Sequence, residues 1–266
     1  MKLESIALTH VGRRNSNQDA FLAAAELGVF AVADGMGGHV GGEVASRLAI
    51  EALEEFTLGQ ASDDDATWPH VVDGPVPSET MVRMATRLAH GRIAARRHGR
   101  LAQMGSTLAL VLVHGDQAVI GHVGDSRVYR LRDGALAQLT RDHSVYQEML
   151  DQGFDLPAIQ DFPYRNMITR ALGVQAVPEI GTHTLQGGDV YLLCTDGLSG
   201  PVPDARMAEI LAGTLGERML DERARLDPAA GCDPRLARAG VALMREALDR
   251  GGTDNITAVL MRCVAQ

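Results

Sequence analysis

Two pairs of short apolar segments, each joined by a tight turn, do most to limit what this chain can fold into. Thr107–Val113 runs into His114-Gly115-Asp116 and returns through Ala118–Val123, and Arg127–Leu131 runs into Arg132-Asp133-Gly134 and returns through Leu136–Leu139. Apolar runs on both sides of a glycine-containing turn predict β-hairpins. Hairpins imply antiparallel sheet, which needs no helical crossover. Gly28–Ala33, Val190–Cys194 and Ile256–Met261 are further strand candidates. Helical patterns lie between these groups. Glu43–Phe56 places Val44, Ala45, Leu48, Ala49, Ala52, Leu53 and Phe56 on one face, at a period of about 3.6 residues. Glu79–Arg97 repeats the pattern with its arginines outside, Asp204 is placed to cap a short helix to Leu211, and Arg235–Leu248 ends before Gly251-Gly252. Hairpin strands with helices in separate runs predict an α+β fold: two packed antiparallel β-sheets flanked by helices, an α-β-β-α sandwich. No internal repeat or linker divides the chain, so residues 1–266 read as one domain. Residues 61–78 read as an exposed polar loop, and 216–234 as loop or helix.

The formal net charge of −9 argues against a nucleic-acid partner, because binding to phosphate backbones needs basic patches. The three cysteines, Cys194, Cys232 and Cys263, form no CxxC pair, which argues against a zinc site or a disulfide framework. Cys194 and Cys263 sit in apolar stretches and read as buried small hydrophobes. The longest strongly apolar run, near Leu108–Val113, is far short of the roughly twenty residues of a membrane span. Nothing near Lys2 and Glu4 resembles a signal-peptide core. These features predict a cytoplasmic protein with no membrane partner.

Asp-Gly occurs at Asp34, Asp73, Asp133 and Asp196. Asp73 and Asp133 need only the turn explanation. Asp34 and Asp196 each close an apolar strand, in FAVAD and YLLCTD, ahead of a small-residue loop: Gly35-Met36-Gly37-Gly38 and Gly197-Leu198-Ser199-Gly200. A carboxylate at a strand end, beside a glycine whose carbonyl can approach closely, is a common way to offer oxygen to a hard cation. Asp125 and Asp254 have similar settings, and Asp19 follows Asn17-Gln18 near the N-terminus. Taken singly, each of the five reads as a turn or cap residue. If the five converge, their mutual repulsion calls for cations.

Eight segments, in order along nearly the whole chain, resemble the metal-dependent protein phosphatases of the PPM (protein phosphatase 2C) family in their bacterial form. They are Arg14-Asn15-Ser16-Asn17-Gln18-Asp19, Val32-Ala33-Asp34-Gly35-Met36-Gly37-Gly38-His39, Gly105-Ser106-Thr107, Gly121-His122-Val123-Gly124-Asp125-Ser126-Arg127, Thr140-Arg141-Asp142-His143-Ser144, Ile168-Thr169-Arg170-Ala171-Leu172-Gly173, Leu193-Cys194-Thr195-Asp196-Gly197-Leu198 and Asp254-Asn255-Ile256-Thr257. The resemblance implies hydrolysis of phosphoserine and phosphothreonine on proteins by a metal-activated water, opposing a cognate serine/threonine kinase. It implies two tightly bound Mn²⁺ or Mg²⁺ ions and a third, weaker one, in keeping with an all-oxygen ligand set. Asp34 would bridge two metals with the Gly35 carbonyl on one of them. Asp196 and Asp254 would hold one metal, Asp19 would act close to the other, and Asp125 would join Asp196 at the third. Arg14 would bind the substrate phosphate. Met36 stands where many eukaryotic members have histidine as a proposed general acid, and His39 or a water is the alternative. Gln18 stands where glutamate is frequent. The segment from about residue 145 to 167 matches the family flap, while His122 and His143 read as structural. Competing readings are a small-molecule phosphohydrolase of the same chemistry, a non-catalytic binding module of the same fold, and a nucleotide- or phosphate-binding regulator that uses the glycine loops; Asp34 in the glycine loop argues against the last, since it would repel an anion unless a metal intervened.

Overall fold

The computed structural model describes residues 1–38, 40–62, 78–216 and 233–265. In chain order the elements are β1 (Lys2–His10), β2 (Asp19–Ala24), β3 (Val29–Met36), α1 (Gly41–Ser62), α2 (Ser78–Arg96), β4 (Gly105–Ser106), β5 (Leu108–His114), β6 (Gln117–Val123), β7 (Arg127–Arg132), β8 (Ala135–Gln138), α3 (Val145–Asp151), β9 (Glu179–Thr184), β10 (Val190–Cys194), α4 (Asp196–Ser199), α5 (Asp204–Gly216), α6 (Pro234–Asp249) and β11 (Ile256–Val264). One sheet has the order β1-β11-β10-β7-β8; the other has β2-β3-β5-β6-β9, with β4 paired to β3. Every pairing between named strands is antiparallel. The expected α-β-β-α sandwich is the observed fold.

Three apolar layers explain why the central strands read as nearly continuous apolar runs. Each sheet is covered on both faces, which removes the usual polar alternation. Along β3, Phe30 and Val32 point between the sheets, where they pack with Tyr191, Leu193 and Val259. Val29, Ala31 and Ala33 point the other way, against Leu48, Ala52 and Ile93 of α1 and α2. In the second sheet Leu192, Ala258 and Leu260 face Met207, Leu211 and Leu243 of α5 and α6. Helix α6 opens with Asp233 as its N-cap, accepting a hydrogen bond from the Arg235 N–H, and with proline in its first turn. A cap of this kind is worth about 1 kcal/mol. Cys194 and Cys263 are fully buried, as expected, while Cys232 lies outside the described residues. No described helix is long and apolar enough to cross a membrane.

The structure corrects several local readings. β3 continues past Asp34 to Met36, because Gly35 and Met36 pair with Ser106 and Gly105. The small-residue stretch after Asp196 is the single helical turn α4, not a loop. Asp204 is the first residue of α5, which continues past Leu211 to Gly216. Strands β1, β2 and β9 carry weak sequence signals and emerge only from their partners. Most of the 61–78 and 216–234 segments lies outside the described residues.

All strand ends that matter for the site fall at one end of the sandwich. The register pairs the start of β2 with the end of β3, as Asp19 with Asp34. It pairs the start of β5 with the end of β6, as Leu108 with Val123. It pairs the end of β10 with the starts of β7 and β11, as Cys194 with Arg127 and with Ala258. Asp19 opens β2 just after the chain passes from the sheet of β1 to the other sheet, and Asp125 lies between β6 and β7, where the chain passes back.

Candidate metal and phosphate site

Asp34 is the centre of the arrangement. Burial first, and then the charges on Asp196, Asp19, Asp125 and Asp254, hold its carboxyl well above the usual range. Five aspartates that are far apart in sequence are therefore close enough to feel one another. Asp19 stands directly across the β2–β3 pair from Asp34, a placement in which like charges destabilise a sheet. Burial pushes Asp19 up to about 7, against hydrogen bonds from Thr257 and Thr195 that favour its charged form. Burial and the Asp196 charge push Asp125 up to about 8. Asp196 is raised by burial and by Asp254. Carboxyls moved this way by burial and like charge beside a cleft are candidates for a functional site.

Neighbouring polar groups hold these carboxylates in place. The Thr195 hydroxyl donates to Asp19 Oδ2 at 2.8 Å and accepts from the Thr257 N–H at 3.1 Å. The Asp34 N–H donates to Thr107 Oγ1 at 2.9 Å, and Thr107 shares a 2.7 Å hydrogen bond with Ser126, the neighbour of Asp125. Two glycines are needed for close approach. A Cβ on Gly35 would stand 1.9 Å from the Gly42 carbonyl, and one on Gly197 would stand 1.8 Å from the Asn255 carbonyl. Thr107, Thr195 and Asn255 were not expected to contribute; their only sequence signal is their position beside the glycines and aspartates of the motifs.

Two adjoining cavities of about 590 and 640 Å³ meet at this end of the molecule. Asp196, Asp254, Arg14 and Asn166 line both; Asp34 and Gly35 line the first, and Asp125 lines the second. Asp19, paired with Asp34 across β2 and β3, lines neither. Arg14 is at the rim, its Nη2 2.7 Å from Asp254 Oδ2 and its Nε donating to the Thr253 carbonyl at 3.2 Å. Ile159, Gln160, Arg165 and Asn166 of the 145–167 segment form part of the second cavity's wall. His39 lies outside the described residues.

The aspartates fit a hard divalent cation. Asp19 Oδ1 and Asp196 Oδ1 are buried with no hydrogen-bond partner, although buried carboxylate oxygens normally have one. The ligand set is oxygen only, as Mg²⁺ and Mn²⁺ prefer. A second cluster, His122, His143 and Glu179, has ligand atoms within 4.8 Å of one another, yet it does not suit a metal. His143 Nδ1 accepts from the Gly124 N–H at 3.1 Å, so the single proton of a neutral ring sits on Nε2 and leaves no lone pair there. The Arg170 guanidinium is 3.1 Å from that Nε2. Burial, His122 and Arg170 together lower His143 to about 4, keeping it neutral. The rings of His122 and His143 stack at 4.5 Å, which agrees with the expected structural role.

Comparison with known proteins gives the class. The model of the family described as "Protein phosphatase 2C" matches residues 8–229, and the chain belongs to that family. Its relatives include the serine/threonine protein phosphatase PstP of Mycobacterium tuberculosis, 36% identical over 93% of this chain. The chain spans only 42% of that protein's length. The serine/threonine phosphatase stp of Listeria monocytogenes is 34% identical, with 86% of this chain and 82% of that protein covered. A crystal structure of the M. tuberculosis phosphatase PstP/Ppp superposes with a TM-score of 0.79 at 35% identity, covering 99% of each chain. The PstP catalytic domain, solved in complex with two manganese ions, superposes with a TM-score of 0.77 at 34% identity over the same shares.

Proposed function

We propose that this chain is a protein-serine/threonine phosphatase that depends on Mn²⁺ or Mg²⁺. The observation that carries this reading is the meeting of five aspartates, from both sheets, around Asp34, with unpartnered oxygens on Asp19 and Asp196. Asp34 and the Gly35 carbonyl, with Asp196 and Asp254, are the ligands proposed for a pair of cations; Asp19 supports the pair, and Asp125 with Asp196 is proposed for a third, weaker one. When bound, the cations supply Lewis acidity and lower the pKa of a water. Arg14 grips two oxygens of the phosphoryl group with its planar guanidinium. His39 is the proposed proton donor to the departing serine or threonine oxygen, with a water as the alternative. Met36 and Gly37 line the first cavity beside Asp34. The PstP and stp names support phosphorylated proteins as substrates, and a serine/threonine kinase in the same pathway follows from that. Residues 1–266 form one phosphatase domain in this reading, with a substrate-facing flap at about 145–167. The protein is proposed to be cytoplasmic, with neither nucleic-acid nor membrane partners.

Hydrolysis of an aryl phosphate and of a phosphothreonine peptide should require added Mn²⁺ or Mg²⁺ and stop with excess chelator. Full turnover after exhaustive metal removal would sink the proposal. Turnover of phosphorylated metabolites far exceeding that of phosphopeptides would move the substrate to small molecules.

A further inference from the structure

The side chain of Asn255 directs three hydrogen bonds at one short backbone segment. It is buried. Its Nδ2 donates to the carbonyls of Val11 and Ser16, both at 2.9 Å, and its Oδ1 accepts from the Gln18 N–H at 2.8 Å. A carboxamide offers two N–H donors and a carbonyl oxygen with two lone pairs, so both of its donors are committed to this segment. Val11 and Ser16 bracket the loop that displays Arg14, and the two Nδ2 hydrogens close that loop at both ends. The preceding turn holds the same loop. The Gly252 carbonyl accepts from the Arg13 N–H at 2.7 Å, and the Thr253 carbonyl accepts from Arg14 Nε at 3.2 Å. Gly12 has φ of +62°, and a Cβ there would stand 1.9 Å from the Asp254 carbonyl, so the two backbones are in direct contact.

We propose that Asn255 is a positioning residue for phosphate binding: it clamps the loop of residues 12–15 so that the Arg14 guanidinium faces the substrate phosphate. An exposed five-bond loop with a long side chain would otherwise have to be ordered by the substrate, and that ordering is subtracted from binding. The inference rests on the reading that Arg14 grips phosphate.

A double-mutant cycle tests it, using Arg14→Ala, Asn255→Asp and both together, in the full chain with saturating Mn²⁺. Aspartate keeps the acceptor for the Gln18 N–H and removes both donors to Val11 and Ser16. Asn255→Asp should raise KM for an aryl phosphate, and the inhibition constant of inorganic phosphate, by about tenfold, with kcat within about threefold. In the Arg14→Ala background the same substitution should change neither constant. Calorimetric Mn²⁺ affinity should not fall, since the change adds a carboxylate beside Asp254. Equal losses in both backgrounds would overturn the positioning role, because Asn255 would then act by local charge or general loosening. If Arg14→Ala alone moves neither constant, the phosphate-gripping reading fails and takes the inference with it; the cycle separates these two failures. Asn255→Ser, which shortens the clamp without adding charge, replaces the aspartate variant if thermal melting shows that the latter does not fold.

Discussion

Arg14 and Asp254 form an ion pair in which more than half of the arginine side chain is open to solvent. Such a pair is worth at most about 1 kcal/mol, so the guanidinium can turn from the carboxylate to a phosphate at small cost. Arg14→Ala should lose the charged hydrogen bonds to phosphate, roughly 1.5–3 kcal/mol, which is about 10–150-fold in kcat/KM. Most of that loss should appear in KM if the grip is equal in ground and transition states. The ion pair adds a second expectation. Removing a positive charge beside Asp254 should tighten cation binding there by at most about fivefold, measured by calorimetry. Arg13 also lines the cavity, but among the described residues its side chain pairs with no carboxylate, so Arg13→Ala should stay near wild type. Matching losses in the two variants would count against the assignment of Arg14. Asp196→Asn should abolish nearly all turnover at saturating metal while the protein stays folded. It should also raise the melting temperature after chelation, because it removes one of the charges crowded around Asp34. Near wild-type turnover of that variant would refute the role of Asp196. Asp34, Asp125 and Asp196 were visible in the sequence because each adjoins a glycine, and Asp254 because it lies just before a strand, whereas Asp19 stood out only within the Arg14–Asp19 segment that resembles the family. Thr107, Thr195 and Asn255 were not visible, because a threonine or asparagine shows its purpose only through its partner.

At the scale of elements, the 145–167 segment has its own small anchor and two firm roots. Phe162 is buried and meets Tyr146 and Tyr164 edge-on, at 5.2 and 6.0 Å. Ser144 caps α3 by accepting from the Gln147 N–H. The roots are held by Val145 N–H donating to the Met167 carbonyl and Thr169 N–H donating to the His143 carbonyl, at 2.9 and 2.8 Å. Replacing residues 146–166 with a short Gly/Ser linker leaves the His143 root in place. It should reduce activity on phosphoproteins much more than on an aryl phosphate, since Ile159 and Arg165 line the second cavity. Equal losses on both substrates would show that the segment is only structural. The elements legible in the sequence were those buried on both faces, such as β10 with all five residues buried. β1, β2 and β9 were not. β9, with the sequence EIGTHT, has no fully buried residue and lies at a sheet edge. β2, with the sequence DAFLAA, is also an edge strand and half alanine, and alanine favours strands weakly. Such strands take their structure from a neighbour's backbone, which a local pattern does not report.

At the scale of the molecule, convergence is a property of register, and register is the part least readable from sequence. A shift of one residue in the β2–β3 pair would send Asp19 to the opposite face of its sheet. The observed register brings together carboxylates that repel, and the cost should appear as a dependence of stability on pH. Asp19 and Asp125 are pushed up to about 7 and about 8 by burial, with Asp34 and Asp196 also raised. In the unfolded chain each has an ordinary value of about 3.9. Between these limits the folded state holds more protons than the unfolded state, so stability falls as pH rises. The contribution of these groups is complete below about pH 4 and is lost as pH climbs through about 7 to 8. After chelation, the melting temperature should therefore drop between about pH 5 and pH 8.5, and it should drop less in Asp125→Asn, which has one such proton fewer to lose. Added Mn²⁺ should reverse the trend. A cation must displace these protons to bind, so its apparent affinity, and the stabilisation it confers, should increase over the same range. Calorimetry in buffers of different ionisation heat would count the protons released. A melting temperature after chelation that stays level or rises from pH 5 to pH 8.5, with no proton release on Mn²⁺ binding, would mean that the aspartates are ionised and apart, and that they do not share one site.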